Sequence, residues 1–139
     1  MKILVVDDEK DMQTLFEQRF RKEIRTKEME FVFAFSGEEA LTYLTRHVHE
    51  VVLILSDINM PRINGFELRN KVFTNEQLQT KCIPYLFFTT GANKKSVIDA
   101  YAMSVQGFFI KPNTMHDLER TIKKIIEYWQ ECIAPSEYE

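Results

Sequence analysis

Asp7, Asp8, Asp57, Thr89 and Lys111 are polar residues that each close or follow a short apolar run. The runs cover residues 3–6, 51–55, 85–88 and 108–110, with Ser56 standing between the second run and Asp57. Stretches of this length, rich in Val, Ile, Leu and Phe, are expected as strands buried on both faces of a parallel sheet. In such a sheet the ligand crevice lies beyond the carboxyl ends of the strands. Three carboxylates, a hydroxyl and an ammonium are therefore expected to meet in one place. That set suits phosphoryl chemistry. A carboxylate can attack phosphorus and carry the group as an aspartyl phosphate, and the transfer asks the protein mainly for positioning and charge neutralisation. Lys111 can neutralise one phosphoryl oxygen and the Thr89 hydroxyl can donate to another.

Neighbouring carboxylates raise one another's pKa or require a cation. A hard divalent ion, Mg2+ or Mn2+, resolves the repulsion between Asp7, Asp8 and Asp57, because Mg2+ takes oxygen ligands and is commonly held by one or two carboxylates plus a phosphate oxygen. The turn after the first run reads Val5-Val6-Asp7-Asp8-Glu9-Lys10 and contains no glycine. Backbone N–H groups there cannot close on a bare phosphate, which argues against a dinucleotide, flavin-phosphate or P-loop site.

The segments between the runs carry helical period. Met12, Leu15, Phe16, Arg19 and Phe20 place a first helix over 10 to about 26, with a charged far end that reads as a solvated face. Residues 30–35 form a second strand, and Ser36 with Glu39 is a capping box opening a helix through Ala40, Leu41 and Leu44. Pro61 and Gly65 punctuate the loop after Asp57, and Phe66, Leu68, Val72 and Phe73 carry a third helix. Residues 74–82 read as a loop, and a fourth helix is expected from Lys94 to about Val105. Asn113 or Thr114 caps a fifth, whose stripe runs Leu118, Ile122, Ile125, Ile126, Trp129 and Ile133. Five strands alternating with five helices specify an α/β fold, a doubly wound five-stranded parallel sheet with right-handed crossovers. The expected domain covers 1–134, with 135–139 as a polar tail.

The 139 residues are 45% apolar and 28% charged, with a formal charge of −3, so neither nucleic acid nor anionic membrane is an expected partner. No stretch approaches the ~20 apolar residues of a membrane span, and the amino terminus lacks a secretory pattern, so a cytoplasmic location is expected. Cys82 and Cys132 lack metal-ligand spacing, and Cys82 is expected as a packed thiol before a strand.

The chain resembles the receiver domain of two-component response regulators, a family that includes the single-domain chemotaxis regulator. The resemblance rests on Val5-Val6-Asp7-Asp8-Glu9, on Asp57-Ile58-Asn59-Met60-Pro61 with Gly65 four residues on, on Phe88-Thr89 and on Lys111-Pro112, and spans about residues 2–131. It implies the flavodoxin-like receiver fold and a phosphorylation-activated switch rather than an enzyme turning over small molecules. Asp57 would be the phosphoacceptor, loaded from a phosphohistidine on a sensor histidine kinase or phosphotransfer protein. Asp8 and Asp57 would ligate Mg2+ through carboxylates, Asn59 through its backbone carbonyl, and Asp7 largely through water. Lys111 would pair with the phosphoryl group, and its bond to Pro112 would be cis. Thr89 would move toward the phosphoryl group and Phe108 would turn inward behind it, changing the surface of the fourth helix, fifth strand and fifth helix. That surface would control a downstream protein target, an output domain of a longer chain, or a second copy in a homodimer.

Thr90 stands where receivers usually carry Ala or Gly, and its extra bulk is expected to narrow the path to Asp57. Ser104 stands where the fourth helix often ends on glycine. Two other classes fit part of the pattern. A phosphatase that forms and cleaves an aspartyl phosphate needs an Asp two residues after the nucleophile, and Asn59 stands there. A phosphorylation-independent pseudo-receiver would generally lack some of the acidic residues present here.

Overall fold

A computed structural model describes residues 1–47 and 50–138 of the chain. Alternating side-chain direction along strands buried almost throughout divides the apolar side chains between two faces of a single sheet. The strands are β1 (Lys2–Val6), β2 (Glu30–Ala34), β3 (Leu53–Ser56), β4 (Tyr85–Thr89) and β5 (Gly107–Ile110), all parallel in the order β2-β1-β3-β4-β5. Leu4, Val6, Ile54, Tyr85 and Phe87 point into one cluster, whereas Ile3, Val5, Leu53, Leu55, Leu86 and Phe88 point into the other.

The helices that cover these faces are α1 (Asp11–Arg19), α2 (Arg21–Arg25), α3 (Gly37–His47), α4 (Gly65–Thr74), α5 (Glu76–Gln79), α6 (Lys94–Ala102) and α7 (Met115–Glu131). The first face packs against Ala40 and Leu44 of α3, Leu68 and Val72 of α4, Leu78 of α5 and Ala100 of α6. The second packs against Met12, Leu15 and Phe16 of α1 and Leu118, Ile122, Ile125 and Ile126 of α7. Both faces of a parallel sheet are thus sealed, as its unbroken apolar strands require.

Local sequence sets the starts of several helices. Asn64 and Asn93 each form a reciprocal capping box, with Glu67 and Ser96, and Thr114 rather than Asn113 caps α7 by accepting from the Asp117 N–H at 3.1 Å. At α3 the Ser36 hydroxyl accepts from the Glu39 N–H at 3.1 Å, while the Glu39 carboxylate reaches the Phe35 N–H instead of that of Ser36.

Among the described residues seven α-helices replace the five expected. The segment 10–26 divides at Phe20, where φ −114° and ψ 28° leave the helical basin, although Phe20 N–H still reaches the Phe16 carbonyl at 3.0 Å. Residues 74–82 contain the single turn α5, which Asn75 caps through the N–H groups of Gln77 and Leu78. The second strand ends at Ala34 and the fourth expected helix at Ala102. Cys82 is exposed with a left-handed φ of 51°, not packed, because the chain turns there to enter β4. Ile133 is exposed beyond the end of α7. A short 3-10 turn occupies Pro135–Tyr138. No peptide bond among the described residues is cis, so Lys111–Pro112 is trans, contrary to the expectation from the family resemblance. Among the described residues no helix is long and apolar enough to cross a membrane.

Candidate functional site

Strand order reverses between β1 and β3, and the crevice at that switch point is where a ligand is held in an open parallel sheet. The pairing of Val6 with Ser56 puts the next residues, Asp7 and Asp57, side by side. Both backbones remain on the ladder for one more rung: the Asp7 N–H donates to the Ala34 carbonyl at 3.0 Å and the Asp57 N–H to the Val6 carbonyl at 2.8 Å. Lys111 arrives from the other side, its N–H bonded to the Thr89 carbonyl at 2.7 Å. Sheet hydrogen bonds therefore set the spacing of the acidic and basic groups before any side-chain contact is made.

Asp7, Asp57, Thr89 and Lys111 are buried, and Asp8 is exposed at the rim. The Lys111 ammonium lies 2.6 Å from Asp7 Oδ2 and 3.3 Å from Asp57 Oδ2. The remaining oxygens face backbone donors: Asp7 Oδ1 accepts from Glu9 N–H at 2.9 Å and Asp57 Oδ1 from Ile58 N–H at 2.7 Å. Burial nevertheless pushes the Asp7 carboxyl up to about 6, because desolvation outweighs the Lys111 and Glu9 hydrogen bonds and Asp57 adds repulsion. Burial works against the Lys111 charge, but Asp7 and then Asp57 outweigh it and hold its pKa above the ordinary lysine value.

One carboxylate oxygen from each of Asp7, Asp8 and Asp57 falls within 4.8 Å of the others, a donor set that fits a hard divalent cation. Three carboxylates facing one ammonium leave an excess of negative charge that such an ion would offset. Asn59, two residues after Asp57, is exposed. Thr89 Oγ1 is fully buried without a hydrogen-bond partner among the described residues, a state that costs free energy unless a ligand or movement satisfies it. Phe108 is half-buried, its ring 6.0 Å from that of Phe87 on the face covered by α4 and α6. Thr90 is exposed.

The profile of the response regulator receiver domain matches residues 3–123. This chain belongs to the response regulator receiver family. Among receivers of known sequence, the chemotaxis protein CheY of Pseudomonas aeruginosa is 34% identical over 127 residues, which covers 91% of this chain and 97% of that protein. A probable methanogenesis regulatory protein, FilR2, of Methanothrix harundinacea is 30% identical over 131 residues, covering 91% of this chain and 82% of that one. Among solved receivers, the phosphorylated cyanobacterial phytochrome response regulator RcpA superposes with a TM-score of 0.84 at 26% identity, covering 96% of this chain and 97% of that one. The Mn2+-bound response regulator Rcp1 gives 0.78 at 26% identity, with 96% of each chain covered. Receivers belong to two-component signalling, bind a divalent metal, and interact in general with histidine kinases and downstream targets.

The close approach behind this receiver's site is a structural finding. Gly65 reads in sequence as loop punctuation and as part of the family element, and a Cβ there would lie 2.2 Å from the Asp57 carbonyl oxygen and 2.8 Å from Ile58 Cα. Its N–H donates to the Ile58 carbonyl at 2.8 Å and its own carbonyl accepts from the buried Tyr85 hydroxyl at 3.1 Å. Arg62, at φ 64°, pairs with Glu38 at the start of α3 and ties the same loop down from outside. Only the x-x-x-Gly spacing after Pro61 could have pointed to the close approach.

Proposed function

We propose that this receiver is a phosphorylation-driven switch in which Asp57 accepts a phosphoryl group from a phosphohistidine donor, with Mg2+ or Mn2+ as cofactor. The observation that carries the proposal is the convergence of Asp7, Asp8 and Asp57 within 4.8 Å of one another, with the Lys111 ammonium at 2.6 and 3.3 Å from two of them. Asp8 and Asp57 would hold the cation by their carboxylates, Asn59 by its backbone carbonyl and Asp7 largely through water. The cation would neutralise charge on the phosphoryl oxygens when bound.

Ile58 N–H fixes Asp57 Oδ1, which leaves Oδ2, on the Lys111 side, as the attacking atom. The new bond joins Oδ2 to phosphorus as the phosphorus–nitrogen bond to the donor imidazole breaks. The bonding pair stays on the imidazole, and the acyl phosphate remains on Asp57. Lys111, already within 3.3 Å of Oδ2, is placed to neutralise the incoming group without travelling. Thr89, whose hydroxyl has no partner to give up among the described residues, donates to a phosphoryl oxygen. Phe108 follows into the space behind it and alters the surface of α6, β5 and α7, which a partner reads. We assign the switch to a unit spanning 1–134, with 135–139 as an appended tail.

Mass measurement after exposure to acetyl phosphate and Mg2+ tests the reading. The wild type is expected to gain one phosphoryl group and Asp57→Asn none. A gain in both proteins would place the acceptor elsewhere. Steady turnover of the donor without an adduct would mark a phosphatase, and no gain in either would mark a pseudo-receiver.

A further inference from the structure

At the amino-terminal end of β4, at the opposite end of the strands from the acidic cluster, a cavity of about 160 Å³ lies between the strand and helices α4 and α5. Its lining includes Arg69, Val72, Leu78, Ile83 and, at the mouth, Cys82. Arg69 is 5% exposed, and a charge that deep is ordinarily paired with an opposite one. No carboxylate forms an ion pair with it among the described residues. Its one hydrogen bond runs from Nη2 to the Met103 carbonyl at the end of α6, at 2.7 Å. The Phe73 ring covers the guanidinium, 4.0 Å from ring centroid to Cζ. Its Nε and Nη1 have no hydrogen-bond partner among the described residues, neither is fully buried, and the Arg69 side chain is part of the cavity lining. The nearby Gln106 amide is already engaged, accepting from the Tyr85 N–H at 2.7 Å and donating to the Ser104 carbonyl at 2.9 Å, and supplies no negative charge.

We propose that this cavity binds a small monocarboxylate, its anion on the free edge of the Arg69 guanidinium and its apolar body against Val72, Leu78 and Ile83. A guanidinium offers five N–H donors and is the side chain best suited to a carboxylate, and Arg69 uses one of the five. The partial negative charge at the end of α6 offsets only part of its charge, which favours a ligand carrying about one negative charge over a phosphate carrying nearly two. The apolar lining selects a hydrocarbon tail. The volume resembles the ~150 Å³ cavity that accepts a benzene ring, so the occupant is a free acid of a few carbons and not a chain segment. The site is separate from Asp57 and stands whether or not Asp57 is phosphorylated.

Cys82 provides the readout. In Cys132→Ser protein at fixed pH and ionic strength, alkylation of Cys82 by neutral iodoacetamide is measured with sodium butyrate or benzoate and with butyramide or benzamide. The acids are expected to slow alkylation saturably, by about tenfold at ten times their Kd, and to raise the thermal unfolding midpoint. The amides are expected to do neither, and Arg69→Met to abolish the acid effect. Equal effects of acid and amide, or none from either, would overturn the proposal. Should Arg69→Met not fold, the comparison of acid with amide on the intact side chain still decides the matter.

Discussion

Asp7 is held between two opposing effects. It has the shortest contact with Lys111, yet burial and the adjacent Asp57 raise its carboxyl pKa to about 6, above the unfolded value of 3.8. A carboxyl raised on folding binds more protons in the native state, so without metal its contribution to stability falls as pH rises from 4 through 6, by up to about 3 kcal/mol. In EDTA, urea unfolding of Asp7→Asn and wild type is expected to show the variant gaining on wild type between pH 5 and pH 7; a difference independent of pH would contradict this. Thr89 makes a second prediction at this scale. Replacing its partnerless hydroxyl by a methyl in Thr89→Val is expected to leave stability unchanged or raise it by about 1 kcal/mol, while phosphorylated protein loses the change at α6 and β5 that NMR shifts would report. The strand-end residues were legible because a polar group closing an apolar run is conspicuous. Arg69 was not, because an arginine inside an amphipathic helix reads as solvent-facing, and only tertiary packing under Phe73 and against Met103 buries it.

Helix α4 begins hard against Asp57, with Gly65 as the point of contact. Gly65→Ala would force a Cβ to within 2.2 Å of the Asp57 carbonyl oxygen, where the neighbour is backbone and has nowhere to go. A loss of at least about 3 kcal/mol in chemical denaturation is expected, toward the upper end for single substitutions; a loss below about 1 kcal/mol would show that the loop yields. The starts of α3 and α7 could be read from sequence because Ser36 with Glu39 and Thr114 announce them, whereas the caps at Asn64 and Asn93 emerged only in the structure. The division at Phe20 could not be read either. Phe20 continues the apolar period of the first helix, but its ring packs with Phe16 and Phe31, and that aromatic cluster against β2 accompanies the turn of the backbone. The single turn α5 was equally silent, since four residues span barely one period.

At the scale of the molecule the sheet separates two interiors. The face that holds Phe108, Phe87 and Arg69's neighbours is built from segments close in sequence, α3 to α6. The opposite face joins α1 to α7, so that Leu15 and Phe16 share a cluster with Leu118, Ile122 and Ile125. The topology was legible because parallel strands need crossovers, and alternating elements leave few ways to arrange them. Which helices shared a face was not, because the sequence states no distances between its ends. The α1–α7 face carries a consequence in time. A ribosome adds about 5–20 residues per second, so the apolar stripe of α1 waits roughly 5–20 s for the residues that cover it. Through that interval the nascent chain presents Met12 and Leu15 to its surroundings, and a chaperone is expected to bind there until the last helix arrives.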